Sequence, residues 1–443
     1  MIDSLRGGAS PTGRGRSDGH LGIGSQGAKE VIMGYEAPTV GQTEPVEDWL
    51  HDFDVFDPGY VRDPFPVWDE VRGCPVLRTE RWGGVHLVVG YDAVVQAAAN
   101  TAALTSTLGT SAAPTLEDHR DPNRPQSIIN LDPPEHSPIR RTILPTFAPQ
   151  AVAGYEPTTR ALCQSLADKI SARLDKGVGF ADAALEYSQQ IPARVIGRIL
   201  GIPEARTDEF IEWVRAILET GIAEPEKRKQ AFQDMGDYFA EEIAERRRAP
   251  REDLITRLVD ARLDSGEPVP DRNIVGNCVL LLVAGIDTTW SAIGSSIWHL
   301  AQHPDDAKRL CTEPELWPTA IEEFLRAFAP VTMGRIATSD TEVAGCPVNE
   351  GRRVLLAFPA ANRDPAVFDR PNDVILDREL NRHLAFGSGI HRCAGSNIAR
   401  MELRVALQVW LERFPVFSLA NADDVTWAGG QVRGPRSVPV RIG

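Results

Sequence analysis

One cysteine lies between a glycine-containing loop and a helical segment in residues 385–400, AFGSGIHRCAGSNIAR. The start of a helix presents unpaired backbone N–H groups and the positive end of its dipole, and both stabilise a thiolate. Gly387 and Gly389 allow the chain before Cys393 to follow a tight path. The pattern therefore places Cys393 where a negatively charged sulfur could bind a metal or attack a substrate.

Three uses of such a thiolate lack the partners that they need. A zinc site requires more cysteines or histidines than His391 and Cys393 supply. A nucleophilic cysteine needs a positioned base, and His391, two residues away in a turn, is poorly placed for that role. The covalent haem motif CxxCH is absent. Two interpretations remain open at this point: an axial ligand to a non-covalently held haem, or a buried structural cysteine.

A second set of reactive residues lies in AGIDTT, residues 284–289, inside an apolar helical stretch. Gly285 leaves room for a flat ligand, and a threonine hydroxyl can bond a carbonyl one turn back and locally open the helix. Asp287 and Thr288 could then pass protons inward. The alternative is that Asp287 faces solvent and Gly285 serves close helix packing.

Two charged pairs have helical spacing. Glu323 and Arg326 are three residues apart in IEEFLRAF, and His136 and Arg140 are four apart in DPPEHSPIRR. The second pair shares one helical face if the helix begins near the two prolines. Each residue taken alone is interpreted as an ordinary surface charge.

The whole chain excludes several classes of protein. Its 443 residues carry a formal charge of −15, which argues against binding nucleic acid through phosphates. The apolar run in residues 279–286 is far shorter than the roughly 20 residues that cross a bilayer, and the N-terminus lacks a signal peptide. The six cysteines form no CxxC pair, which is typical of a reducing compartment. We expect a cytoplasmic protein that does not bind membranes.

Secondary-structure patterns predict a mainly α protein with minor β. Residues 1–40 are rich in Gly and Ser and predict a disordered tail, followed by a single domain over 41–443. The domain begins with a helix and a strand hairpin and is helical from 150 to 310. Short strands then return, and a helix is predicted at 396–413.

Residues 386–395 resemble the haem-binding loop of the cytochrome P-450 monooxygenases, with all of its usual fixed positions filled. The resemblance implies haem b bound in the P-450 fold: a triangular helical domain with small β-sheets, and the haem between the oxygen-activation helix and the cysteine-loop helix. Cys393 would be the thiolate ligand of the iron. The other loop residues that the resemblance assigns to haem binding are Phe386, Gly387, His391 and Gly395.

Other segments follow the family's chain order. In AGIDTT, Ala284 and Gly285 would lie against the haem, while Asp287 and Thr288 would deliver protons to bound dioxygen. Glu323, Arg326 and Arg378 would form a buried structural triad. The haem propionates would be held by His136, Arg140, Arg335 and His391.

The resemblance implies a monooxygenase that inserts one atom of O2 into a small hydrophobic substrate, with aromatic molecules among the candidates, by hydroxylation or O-/N-dealkylation. Electrons would come from a separate ferredoxin and ferredoxin reductase, or from an absent fused reductase, with NAD(P)H acting only indirectly. The expected pocket includes Val283, Ala284, Val331 and Met333. Residues 101–130 would also contribute, whereas Arg433 and Arg436 are interpreted as surface charges.

Two alternatives to that function remain. One is a haem-thiolate peroxygenase driven by H2O2, against which the intact Asp287 and Thr288 pair counts. The other is a non-enzymatic haem binder or sensor.

Overall fold

The computed structural model describes residues 44–112, 124–177 and 179–443. The predicted disordered tail at 1–40 and part of the expected pocket segment at 101–130 lie outside the described residues. Both stay predictions.

Helices dominate the described chain, as the mainly α prediction requires. Their bounds in chain order are α1 Pro58–Arg62, α2 Phe65–Val71, α3 Tyr91–Ala99, α4 His136–Ile143, α5 Pro149–Leu174, α6 Gln190–Leu200, α7 Thr207–Arg215, α8 Gly221–Ala223, α9 Pro225–Arg248, α10 Leu254–Asp260, α11 Asp271–Gln302, α12 Pro304–Thr312, α13 Trp317–Ala327, α14 Phe358–Ala361 and α15 Ser396–Arg413. Two π-helical turns, Ala184–Ser188 and Ala216–Thr220, precede α6 and follow α7.

The strands are short and form small sheets. Their bounds are β1 Val76–Thr79, β2 Val85–Val88, β3 Leu104–Thr105, β4 Ala181–Asp182, β5 Thr332–Ala337, β6 Thr341–Val343, β7 Cys346–Val348, β8 Arg353–Ala357, β9 Phe417–Leu419, β10 Thr426–Ala428, β11 Gly434–Ser437 and β12 Pro439–Ile442. Among the described residues, the largest sheet has five strands in the order β1-β2-β8-β5-β3. The predicted first hairpin is present, because β1 pairs antiparallel with β2 and Val76 lies opposite Val88.

Helix α11 runs through the core, and its sequence explains its length. Pro270 precedes its first turn, Asp271 places an acidic side chain there, and Pro304 follows its end. It is the one helix of the described chain that is long and apolar enough to cross a membrane, but 72% of its most apolar window is buried inside the protein. Its apolar composition is therefore that of a core helix.

Helix α15 has the bounds that the sequence predicts, Ser396–Arg413. Its buried side chains pack against α5 and α11. Because the cysteine loop leads directly into α15, the core holds the loop in place. Helix α4 begins two residues after the proline pair, so His136 and Arg140 share a helix as predicted.

Candidate active site

Backbone hydrogen bonds fold the cysteine loop back on itself. The N–H of Cys393 donates to the carbonyl of Phe386 at 2.8 Å, and a short 3-10 turn covers Gly389–His391. Gly387 and Gly389 have φ angles of 68° and 71°, in the left-handed region that favours glycine. A Cβ at position 389 would also lie 2.7 Å from the carbonyl oxygen of Ala98 in α3. The glycines thus have a steric reason to be there.

The Cys393 side chain is exposed on one side of the loop, while protein surrounds its other sides. Burial raises the pKa of the thiol, whereas the Gly395 N–H and the charges of Arg140, Arg392 and Arg400 lower it, and the net direction is upward. A metal ion bound to the sulfur would deprotonate it outright. The loop therefore offers a single soft ligand with hydrogen-bonding and cationic neighbours.

Helix α11 exposes a short stretch in its otherwise buried middle. Ala284 is exposed, and Val283, Gly285 and Thr288 are half-buried, while the residues on either side are buried. The Thr288 hydroxyl donates to the carbonyl of Ala284 at 2.6 Å, the predicted bond one turn back. The helix nevertheless continues without a break. A Cβ at Gly285 would make only an ordinary contact, 3.4 Å, with Ile196 of α6, so packing against α6 does not by itself require a glycine at this position.

Asp287 is buried, so the alternative in which it faces solvent is wrong. Its side chain is 1% exposed, and its Oδ1 lies 2.7 Å from Nη2 of Arg436. Burial raises the pKa of Asp287 to about 6, with Arg436 acting to lower it and Glu219 acting to raise it further. The carboxyl can therefore take up and release a proton near neutral pH.

The interpretation of Arg433 and Arg436 as surface charges is wrong. Arg436 lies on β11, which packs along α11 so closely that a Cβ at Gly434 would come within 2.1 Å of the Ser291 hydroxyl. Arg433 donates from Nε and Nη2 to the carbonyls of Val61 and Arg62, at 2.8 Å each. Both guanidiniums also lie over tryptophan rings: Arg436 is 4.3 Å from the ring centre of Trp290, and Arg433 is 4.1 Å from that of Trp427.

His136 and Arg335 are buried polar groups that could donate hydrogen bonds to a bound anion. His136 is 1% exposed, and neither of its ring nitrogens has a hydrogen-bond partner within the described residues. Burial lowers the pKa of His136 to about 4, assisted by the charges of His391 and Arg140. Arg335 donates to the carbonyl of Gly334 at 2.7 Å, and burial lowers its pKa to about 10. The propionates of a haem are anions of the required kind, so this donor set fits the group.

Arg140 and His391, predicted to complete the propionate clamp, already have protein partners. Arg140 donates to the carbonyl of Arg392. His391 has Nε2 3.1 Å from the Ser106 hydroxyl and Nδ1 3.1 Å from the carbonyl of Ile128. Ser106 was not predicted at this site, and neither was Asp132, whose carboxylate is 3.8 Å from His391. Asp132 directly precedes the proline pair, and this position next to His136 was an available signal.

The predicted triad of Glu323, Arg326 and Arg378 is present. Arg326 donates to both carboxylate oxygens of Glu323 at 2.8 and 2.7 Å, and Arg378 donates to one at 3.0 Å. Asn381 and the backbone N–H of Ile375 complete the set, and neither was predicted. The network fixes α13 to the segment that leads into the cysteine loop.

Val331 and Met333 share one face at the start of the strand region, because both are half-buried while Thr332 between them is buried. Val331 and Met333 pack against a different apolar cluster from Val283 of α11, so a common pocket lined by these residues stays a prediction. A polar neighbour, Gln431, was not predicted, and its Nε2 lies 3.7 Å from the sulfur of Met333.

Known proteins are similar to this chain in sequence and in fold. The Cytochrome P450 family model matches residues 80–426. Mycinamicin IV hydroxylase/epoxidase of Micromonospora griseorubida is 34% identical over 319 residues, 71% of this chain and 79% of that protein. Nocardicin C N-oxygenase of Nocardia uniformis subsp. tsuyamanensis is 37% identical over 320 residues, with the same coverage of 71% and 79%.

A solved structure gives the same result for the fold. The bacillaene polyketide synthase cytochrome P450 PksS of Bacillus subtilis 168 superposes with a TM-score of 0.78 at 29% identity, covering 88% of this chain and 100% of that one. Because the family model matches more than half of the chain and relatives above 30% identity cover 71% of it, this protein belongs to the cytochrome P450 family and is a haem-dependent monooxygenase.

Proposed function

We propose that Cys393 is the thiolate ligand of the haem iron and that His136, Arg140 and Arg335 lie around the propionates. The observation that carries this assignment is the buried His136, whose two ring nitrogens lack a partner within the described residues. Phe386, Gly387, His391 and Gly395 would shape the loop under the haem, and Ala284 and Gly285 would face it from α11. A thiolate-bound haem supplies the reductive activation of dioxygen, in which sulfur electron donation favours O–O cleavage.

Protons for this chemistry are assigned to Asp287 and Thr288. The carboxyl of Asp287, with its pKa raised to about 6, holds a proton inside the helix bundle. Thr288 is half-buried at the edge of the exposed stretch of α11, with its hydroxyl bonded to Ala284. The hydroxyl can accept a hydrogen bond on one side while it donates on the other, so it can pass protons.

The substrate is proposed to be a small hydrophobic organic molecule, with aromatic compounds among the candidates, that undergoes hydroxylation or O-/N-dealkylation. Val283, Ala284, Val331 and Met333 supply apolar surface for it. Among relatives, one is named as a hydroxylase/epoxidase and another as an N-oxygenase, so related chains serve different oxidations.

Electrons are proposed to come from a ferredoxin and its reductase, so NAD(P)H would act only indirectly. Arg392 is exposed beside the cysteine loop, and Arg141 is exposed although it pairs with Asp264. An acidic ferredoxin could dock there by charge complementarity. We place the enzyme in the cytoplasm without membrane or nucleic-acid binding, supported by six free cysteines and the burial of α11.

The absorbance spectrum of the dithionite-reduced protein with carbon monoxide tests the ligand assignment. We expect the strongly red-shifted Soret band of thiolate ligation in the wild type and in a Cys311→Ala control, which removes an exposed cysteine from α12. Cys393→Ala should lose that band. Retention of the band in Cys393→Ala, or a band typical of histidine ligation in the wild type, would refute the assignment.

A further inference from the structure

A single buried arginine lies between two carboxylates at the end of the proton path. Arg436 donates from Nε to Oε1 of Glu219 at 2.5 Å, and its Nη2 lies 2.7 Å from Asp287. Nη1 donates to the Ser291 hydroxyl at 3.2 Å. The side chains of Arg436, Glu219 and Asp287 are 11%, 13% and 1% exposed, so water screens their interactions weakly. Arg436 therefore interacts with two carboxyl groups in a region of low dielectric.

Glu219 reaches this site from a different part of the fold. It lies in the π-helical turn Ala216–Thr220 that follows α7, whereas Asp287 is on α11 and Arg436 is on β11. Arg215 also contacts Glu219, with Nε 3.4 Å from the carboxylate. Arg436 thereby connects Glu219, in the segment after α7, to Asp287 on α11.

Several charged groups on elements near this site have other partners. Asp182 of β4 accepts from the Ser437 hydroxyl at 2.6 Å, Arg194 of α6 pairs with Glu204 at 3.4 Å, and Glu186 pairs with Arg173 at 2.7 Å. Arg228 of α9 packs beside Gly221, and Glu402 of α15 is a further buried acid, whose pKa burial raises to about 8. Arg436, Glu219 and Arg215 are the groups whose charges act on Asp287.

We infer that Glu219 is a positioning residue for proton transfer: by competing for Arg436, it keeps Asp287 able to hold a proton at working pH. The inference rests on the proposed role of Asp287 as the proton donor. If Arg436 neutralised Asp287 alone, the carboxylate would be stabilised in its charged form and would bind a proton less readily. Glu219 takes part of that charge and adds repulsion of its own, so Asp287 remains a usable acid.

A direct titration of Asp287 tests the inference without oxygen chemistry. Protein labelled with 13C at the aspartate carboxyls is loaded with haem, reduced and bound to carbon monoxide, and the Asp287 signal is assigned by its loss in Asp287→Asn. We expect a wild-type midpoint near pH 6. Glu219→Gln should lower this midpoint by about one pH unit, and Arg436→Met should raise it.

Two further variants keep the titration decisive. Glu212→Gln is the matched control, because Glu212 contacts the same Arg215 at 3.7 Å but is 73% exposed, and it should leave the midpoint unchanged. Glu219→Asp keeps the charge but sets it further from Arg436, so it should lower the midpoint less than Glu219→Gln and serves if the latter does not fold. An unchanged or raised midpoint in Glu219→Gln, or in Glu219→Asp in its place, overturns the inference.

Oxygen coupling then separates this inference from the function on which it rests. If Asp287 supplies protons, Asp287→Asn should divert consumed O2 to hydrogen peroxide at every pH, and failure to do so refutes the proton-donor role. In Glu219→Gln, the pH at which peroxide release is half-maximal should fall by the same amount as the titration midpoint. A shifted midpoint with an unshifted peroxide profile would overturn the positioning role of Glu219 alone.

Discussion

His136 differs from His391 because neither of its ring nitrogens has a hydrogen-bond partner within the described residues. His391 bonds Ser106 and Ile128, and its ring lies edge-to-face with that of His136, with 4.7 Å between ring centres. A buried polar group in this state costs free energy until it is satisfied. Haem binding would recover that cost, which makes His136 a sensitive reporter of the propionate assignment.

We therefore predict that His136→Phe accelerates haem loss. Removing one hydrogen bond to a charged group costs about 1.5 to 3 kcal/mol, which corresponds to roughly a 10- to 100-fold faster transfer of haem to an acceptor apoprotein. The transfer is followed by absorbance at neutral pH. Arg141→Gln, an exposed change on the same helix, is the control and should be within about twofold of the wild type. Equal rates for His136→Phe and the control would remove His136 from the propionate site.

Individual residues also show which parts of the site local sequence patterns can predict and which they cannot. Cys393 and the AGIDTT segment could be found because their residue types and local spacing carry the signal. The burial of Arg433 and Arg436 could not, since it depends on contacts that are distant along the chain. Arg433 bonds the carbonyls of Val61 and Arg62, which are 372 and 371 residues away, and Arg436 bonds Ser291, which is 145 residues away. The contact of Ser106 with His391 could not be predicted for the same reason, because the two residues are 285 positions apart.

At the scale of elements, α13 is held to the chain before the cysteine loop by ion pairs of unequal burial. Glu323 and Arg326 are fully buried, while the adjacent Glu322 is 30% exposed and pairs with Arg400 at 2.6 and 2.7 Å. Arg400 in turn lies 4.4 Å over the ring of Phe386 in the cysteine loop. Glu323 thus connects α13 to Arg378 in the chain before the cysteine loop, and Glu322 connects it to Arg400 on α15, after the loop.

We predict that Glu323→Gln destabilises the haem-loaded protein by about 3 to 5 kcal/mol, because it leaves buried guanidinium groups without their carboxylate. Glu322→Gln should cost less, about 1.5 to 3 kcal/mol, because its carboxylate, which pairs with Arg400 and His383, is 30% exposed. Urea unfolding followed by tryptophan fluorescence at pH 7 measures both. Equal losses in the two variants would contradict the assigned difference in burial.

The difference in unfolding free energy between the wild type and Glu323→Gln should depend on pH, in a direction that the pKa of Glu323 determines. Burial acts to raise the pKa of Glu323, but bonds and charges from Arg326, Ile375 and Arg378 outweigh it and the pKa is lowered. The folded state then binds this proton less tightly than the unfolded state, so the contribution is complete above the ordinary glutamate pKa and is lost as the pH falls through the folded value. The stability difference between the wild type and Glu323→Gln should narrow in acid.

Elements were more predictable than their contacts. The apolar spacing after the cysteine loop specified α15 to the residue, and the predicted return of short strands after the helical middle is present in β6, β7 and β8. The two π-helical turns were not anticipated, because they depend on packing against neighbours and have no distinct local pattern. One of these turns places Glu219 against Arg436, a contact that no local sequence pattern predicts.

At the scale of the whole molecule, net charge bears on the proposed docking of a ferredoxin. The formal charge of −15 would repel an acidic ferredoxin at long range, so its docking would depend on exposed cations close to the cysteine loop. Arg140 is turned inward to the carbonyl of Arg392, and Arg141 is paired with Asp264. Arg392 is the exposed cation nearest to Cys393 along the chain.

We predict that Arg392→Glu slows reduction by a ferredoxin about tenfold at low ionic strength, because charge reversal at a docking surface acts on the association rate. Stopped-flow absorbance of the reduced carbon-monoxide form measures this rate. Arg248→Glu, an equal charge change at the exposed end of α9, should slow it much less. The difference between the two variants should shrink at about 0.5 M salt, where screening shortens the range of charge interactions. Equal slowing by both variants would show that only net charge matters, and a difference that persists in salt would show that Arg392 acts by direct contact instead of attraction at a distance.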